Sequence, residues 1–186
     1  MVSIIALWLL VLVETGLLLL LLRALGQLRQ NGIPSVKQGQ SSDEWGLAVG
    51  EKAPSFVATD YEDKPVRLDD LQGQRRLLAF ILPGCSSCSY TIKALHIYAQ
   101  REDGVTVLVI GGPDRDINHA YALEHDTDIV VLTPSPGFYA ELYRIRGVPI
   151  AFVIDEVGVI RAKGVVNNHE QLQQLLTEAF ALASPL

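Results

Sequence analysis

Cys85 and Cys88 are the only thiols in the 186-residue chain, and two serines separate them. A thiol pair at this spacing can open and close a disulfide by exchange: one thiolate attacks, and the second resolves the mixed disulfide. The flanking residues favour that chemistry. Leu77-Leu78-Ala79-Phe80-Ile81-Leu82 is a continuous apolar run that reads as a buried strand. Pro83-Gly84 breaks it, and apolar residues at helical spacing (Ile92, Leu95, Ala99) run on to about Gln100. Cys85 is therefore expected in the first turn of a helix, where free backbone N–H groups and the positive end of the helix dipole favour a thiolate. A structural zinc site needs a second Cys or His pair at ligand spacing, and none is present. Haem attachment needs a His where Ser89 stands. No metal or other cofactor is expected.

The elements that must position this pair can be read in order. Ser55–Thr59 and Val66–Leu68 read as short strands around the turn Tyr61-Glu62-Asp63-Lys64-Pro65. The strand 77–82 and the cysteine helix follow. Val105–Ile110 is a second all-apolar strand, ended by Gly111-Gly112-Pro113, and a helix runs from Asp114 to about His125. A short strand is expected at Asp128–Leu132 and a short helix at Gly137–Tyr143. Ile150–Ile154 and Val157–Ala162 form a hairpin through Asp155-Glu156, and an amphipathic helix begins at Asn168 or His169. Apolar strands alternating with helices imply an α/β domain whose central sheet is covered by helices on both faces. The closing hairpin makes that sheet mixed.

The N-terminal segment is of another kind. From Val2 to Leu22 the chain carries one charge, Glu14, and 21 residues at about 1.5 Å each can cross a bilayer. Nothing basic precedes the run and no small-residue cleavage site follows, so a retained single-span anchor is expected rather than a removed signal peptide. The expected organisation is an anchor helix over 1–30, a polar linker over 31–49 and one domain over 50–184. Glu14 would lie near mid-membrane, either contacting a membrane partner or standing alone as a neutral carboxyl. Arg23, Arg29 and Lys37 all follow the span, which argues for a cytoplasmic domain. The lack of spare thiols argues for an oxidising compartment. The second argument is preferred, and the domain is expected outside the cytoplasm. Residues 1–37 carry net charge +2 and the remainder −8, so nucleic-acid binding is excluded.

Gly147-Val148-Pro149-Ile150 is a second signature. An X-Pro bond ahead of an apolar strand can be cis and can leave the preceding backbone facing a groove. A backbone edge beside a reactive thiol can pair with an extended client segment. Taken with Cys85 and Cys88, the domain resembles the thioredoxin superfamily over essentially its full length. Val49-Gly50-Glu51-Lys52-Ala53-Pro54-Ser55-Phe56 and Lys64-Pro65-Val66-Arg67-Leu68-Asp69-Asp70-Leu71-Gln72-Gly73 look like the opening of membrane-anchored TlpA/ResA-type thiol reductases. The anchor's Leu21-Leu22-Arg23-Ala24-Leu25-Gly26-Gln27-Leu28 is similar to the MauD-type accessory proteins of methylamine dehydrogenase maturation. The resemblance implies a thioredoxin-like fold with Cys85 and Cys88 as the catalytic pair. It places Gly84, Val148 and Pro149 at the client-binding edge. It also implies cysteine-containing extracytoplasmic clients and a membrane thiol donor or acceptor. Two positions depart from the pattern: Gly84 stands where the family commonly has Trp, and Thr91 where many TlpA-type proteins have Glu. No acid lies on strand 77–82 to serve as a buried proton acceptor.

The alternative from another class is a copper metallochaperone of Sco type, with His119, His125 or His169 completing a site with two thiolates. Sco cysteines are normally spaced by three residues rather than two. A peroxidase of the peroxiredoxin kind would need Thr or Ser three residues before Cys85, where Leu82 stands.

Overall fold

A computed structural model describes residues 14, 16, 45–101 and 104–181. Except for Glu14 and Gly16, which are helical, the expected anchor lies outside the described residues, as does the linker up to residue 44. No helix among the described residues is long and apolar enough to cross a membrane.

The domain is built on one seven-stranded mixed sheet. Its strands are β1 (Val57–Thr59), β2 (Pro65–Arg67), β3 (Arg75–Phe80), β4 (Val105–Ile110), β5 (Val131–Pro134), β6 (Ile150–Ile154) and β7 (Ile160–Gly164). They lie in the order β2-β1-β5-β4-β3-β6-β7. The pairs β3/β4 and β4/β5 are parallel, and β6 returns antiparallel to β3 with Ile150 opposite Phe80 and Ile154 opposite Arg76. That register puts the start of β6 beside the end of β3. Helix α1 (Cys88–Ala99) follows β3, α2 (Arg115–Glu124) follows β4, and α3 (His169–Ala181) closes the domain.

The strand period of two sorts the sheet's side chains onto two faces. Leu77, Ala79 and Ile81 of the β3 segment, with Ala151 and Val153 of β6, pack with Ile92 and Leu95 of α1, Tyr121 and Ala122 of α2, and Leu172 and Leu176 of α3. Leu78 and Phe80, with Phe152 and Ile154, pack on the other face against Phe56, Leu68, Phe138 and Tyr143. Each fully buried Leu, Ile or Phe contributes roughly 1.5–3 kcal/mol. Helices α1, α2 and α3 thus share one face. The second face is covered by a 3-10 turn (Leu68–Leu71), a π-helical turn (Phe138–Leu142) and the segment entering β1. Helical cover on both faces was expected, and on the second face it takes the form of short turns. Phe138, Tyr143, Phe56 and Phe152 fill that side as an aromatic cluster, which leaves no need for a long helix.

Several boundaries differ from the sequence reading: the first three strands run over 57–59, 65–67 and 75–80 rather than 55–59, 66–68 and 77–82, and three further differences have a local physical reason. The strand expected at 128–132 begins at Val131, because the Thr127 hydroxyl accepts the Ile129 N–H at 3.1 Å and ties that backbone into a turn. The second strand of the hairpin begins at Ile160 rather than Val157. Asp155 Oδ1 accepts the N–H groups of Val157 and Val159, and Gly158 turns the chain at φ 90°. Residues 45–49 were expected to end the linker, yet Leu47 is buried and the Gly46 N–H donates to the Arg144 carbonyl at 3.0 Å. The packed domain therefore begins at least five residues before position 50.

Candidate active site

Helix α1 begins at Cys88, not at Cys85. Gly84 adopts φ 84°, a conformation that side chains resist, and the chain leaves β3 through it into a tight turn. Within that turn the Cys85 N–H donates to the Leu82 carbonyl, and the Cys88 N–H donates to the Cys85 carbonyl, each at 3.1 Å. Cys85 is thus held three residues ahead of the helix, still at its positive end. The two cysteines form a disulfide with their Cα atoms 5.3 Å apart. Cys88 is wholly buried among Ile92, Leu95 and the residues of β3, whereas Cys85 is only half-buried at the edge of that cluster. The positive φ also accounts for glycine at the place where a Trp would be strained.

The Val148–Pro149 bond is cis, and Val148 packs against both apolar clusters as the chain enters β6. Since β6 starts beside the end of β3, Gly147-Val148-Pro149 and the cysteine turn share one end of the sheet. Gly147 is required there by packing: a Cβ would lie 2.6 Å from Cζ3 of Trp45. Trp45 itself carried no signal in the sequence beyond its polar neighbours.

Three further residues fix this end of the sheet, and sequence reasoning singled out none of them as a support. The Tyr139 hydroxyl sits on the carbonyls of Ile81 (3.1 Å), Ile110 (3.2 Å) and Gly111, where β3 and β4 stop. Burial pushes its pKa well above the ordinary tyrosine value. Buried Asn118 accepts the Gly112 N–H and donates to the Gly112 carbonyl, both at 2.8 Å, clamping the loop after β4. A Cβ at Gly111 would meet that same Asn118 oxygen at 2.4 Å. Thr91, at the position where Glu was the alternative, is buried and hydrogen-bonds the carbonyls of Ser87 (3.2 Å) and Val166. It therefore ties the cysteine helix to the segment before α3.

The histidines of the copper alternative are engaged elsewhere. His119 stacks on Tyr61, His125 Nδ1 contacts the Tyr121 carbonyl, and His169 Nε2 accepts from Arg101. Among the described residues no group of three His, Cys, Asp or Glu side chains is gathered as a metal site. Leu82, three residues before Cys85, is partly exposed and offers no hydroxyl.

The model of the AhpC/TSA family matches residues 49–163, from ahead of β1 into β7. The chain belongs to the AhpC/TSA family. Within it, the methylamine utilization protein MauD of Paracoccus denitrificans is 30% identical over 176 residues, covering 92% of this chain and 84% of that protein. The thiol-disulfide oxidoreductase ResA of Bacillus cereus is 29% identical over 143 residues, covering 75% of this chain and 83% of ResA. Among solved structures, a putative thiol:disulfide interchange protein DsbE from Chlorobium tepidum superposes with a TM-score of 0.64 at 22% identity. That match covers 72% of this chain and 98% of the other, and it establishes the thioredoxin-like fold. The MauD match is longer than the domain and takes in the N-terminal segment.

Proposed function

We propose that this member of the AhpC/TSA family is a thiol-disulfide oxidoreductase, tethered by residues 2–22, acting on cysteine-containing proteins outside the cytoplasm. The observation that carries the reading is the asymmetry of the pair: Cys85 half-exposed at the positive end of α1, Cys88 wholly buried behind it. Cys85 is the attacking thiol and Cys88 the resolving one. The Cys85 thiolate attacks one sulphur of a client disulfide, and the other client sulphur leaves as a thiolate. Cys88, losing its proton to solvent, then attacks Cys85 Sγ, releasing the second client thiolate and closing the Cys85–Cys88 disulfide. Two electrons pass from the pair to the client, and the reverse sequence oxidises a dithiol client. Gly84, Val148 and Pro149 form the edge against which the client segment lies, a reading supported by the cis Val148–Pro149 bond and by the end of the sheet that this segment shares with the cysteine turn. A membrane thiol protein restores the pair to its working state.

The likeness to MauD supports a maturation role in which a methylamine-dehydrogenase-like subunit is among the clients. Replacing Cys88 with Ser tests both points. Without the resolving thiol the mixed disulfide accumulates, and non-reducing gels of membranes from a Cys88→Ser strain should show adducts that a reductant removes. A lack of such adducts, together with stoichiometric copper in the purified protein, would overturn the assignment. Orientation is tested separately, with a cysteine placed at position 42 of a cysteine-free chain. Labelling by a membrane-impermeant maleimide in intact cells is expected, and protection until lysis would place the domain in the cytoplasm.

A further inference from the structure

Ser87 holds the position that begins α1, where a serine ordinarily turns its hydroxyl back to accept a helix N–H. Here its backbone is already helical (φ −70°, ψ −30°), and the side chain makes no capping bond. Instead, Ser87 Oγ lies 3.2 Å from Cys85 Sγ. A disulfide sulphur carries no proton, so in the oxidised pair the hydroxyl is the donor. The cap's usual work falls to other groups, since the Ser87 carbonyl already receives the N–H groups of Tyr90 (3.1 Å) and Thr91 (3.3 Å) and the Thr91 hydroxyl. The serine hydroxyl is left to the sulphur.

We infer that Ser87 stabilises the Cys85 thiolate by donating its hydroxyl proton to Sγ, and so sets the reactivity of the attacking thiol. The contact is weak on a disulfide sulphur and strong on an anionic one, because hydrogen bonds to an ionised acceptor are roughly twice as strong as neutral ones. Ser87 thus favours the state in which Cys85 is free and charged, over both the thiol and the disulfide. The elements packed around the pair carry Tyr90, Lys93, His96 and Tyr98 on α1, Arg115, Asp116, His119, Tyr121 and Glu124 on α2, His169, Glu170 and Glu178 on α3, Arg75 and Arg76 at the far end of β3, and Tyr139, Arg144 and Arg146 before Val148. His96 is engaged by Thr127 and Gln100, Arg144 by Glu51, and Tyr139 by backbone carbonyls.

The inference rests on the reading of Cys85 as the attacking thiol, and the test keeps the two apart. In the reduced full-length protein, the pKa of Cys85 is measured from the pH dependence of its alkylation, in the parent and in Ser87→Ala, Ser87→Thr and Ser86→Ala. Ser87→Ala is expected to raise it, slowing alkylation at neutral pH about three- to tenfold, where one unit of pKa is tenfold. Its equilibrium with glutathione should shift toward the disulfide, making the pair more reducing. Ser87→Thr keeps the hydroxyl and should restore both values. Ser86 is exposed, and Ser86→Ala should change neither. Thermal stability should be the same in all four, since no capping bond is lost. A Ser87→Ala protein that titrates as the parent does, or moves no further than Ser86→Ala, would overturn the assignment. If the parent catalyses no exchange while Ser87→Ala still moves the titration, the functional reading fails and the role of Ser87 stands.

Discussion

Where β3 stops and β6 starts, the backbone is fastened by neutral hydrogen bonds: Tyr139 on three carbonyls, Asn118 around Gly112, Thr91 on Val166. Where β3 starts and β6 stops, it is fastened by charge. There the buried Arg76 donates to the Asp155 carbonyl, Asp155 Oδ2 accepts from Arg161 Nε, and Arg75 Nε pairs with Glu156, each at 2.6 Å. The two ends of one sheet thus do different work. A fixed charge beside a sulphur would pin its protonation state, whereas neutral donors leave that state to the helix end and to Ser87. The charged end lies away from the cysteine turn and holds the turn into β7.

Removing Asp155 should have the largest effect on stability. Its burial disfavours the charged carboxylate, but the N–H groups of Val159 and Val157 and the Arg161 guanidinium outweigh that and hold its pKa below the ordinary value. Asp155→Ala leaves the turn's N–H groups and Arg161 without their acceptor and should cost about 3 kcal/mol in denaturant unfolding. The depressed pKa gives a sign as well. The stabilisation is complete above the unfolded carboxyl's value of about 3.9 and is lost as pH falls through the folded one. Acid unfolding of the parent should therefore steepen below that value, and Asp155→Asn should flatten the slope. Thiol exchange at neutral pH should change little in either variant.

At the cysteine end the effects are smaller and of opposite pH sign. Thr91→Val strands the buried Val166 carbonyl and should cost about 1–2 kcal/mol by the same unfolding assay. Tyr139→Phe should cost about 1 kcal/mol. Hydrogen exchange after that change should quicken in the loops following β3 and β4 and not in the β6–β7 turn. Burial raises the Tyr139 pKa, so its contribution is full below the unfolded value of about 10 and is lost as pH rises through the folded one. Acid should loosen the charged end first, and alkali the cysteine end. Equal protection losses at both ends in either medium would dissolve the comparison.

Much of the fold and of the site was legible in the sequence, and the division between the two ends was not. The continuous apolar run from Leu77 to Leu82, the Pro-Gly break, the cysteine pair and Gly147-Val148-Pro149 are local signals, and they located the sheet and the site. The fastening residues were not legible, because each acts across the fold. Tyr139 meets Ile81 from 58 residues away, and Thr91 meets Val166 from 75. Asn118 and Trp45 matter through glycines that make room for them, at Gly111 and Gly147. The helix start was misplaced by three residues because helical periodicity does not reveal the positive φ of Gly84. Ser87 was visible within the motif, but the direction of its hydroxyl depends on backbone angles that spacing does not encode.

The central claim is that the two sulphurs are unequal. It is tested most directly by alkylation rate against pH, measured on Cys85→Ser and Cys88→Ser proteins, each retaining one thiol. Cys85 should titrate below the unperturbed value of about 8.5 and react fast at neutral pH, while Cys88 should stay slow until the protein unfolds. Equal rates at the two positions, or a faster Cys88, would contradict the account.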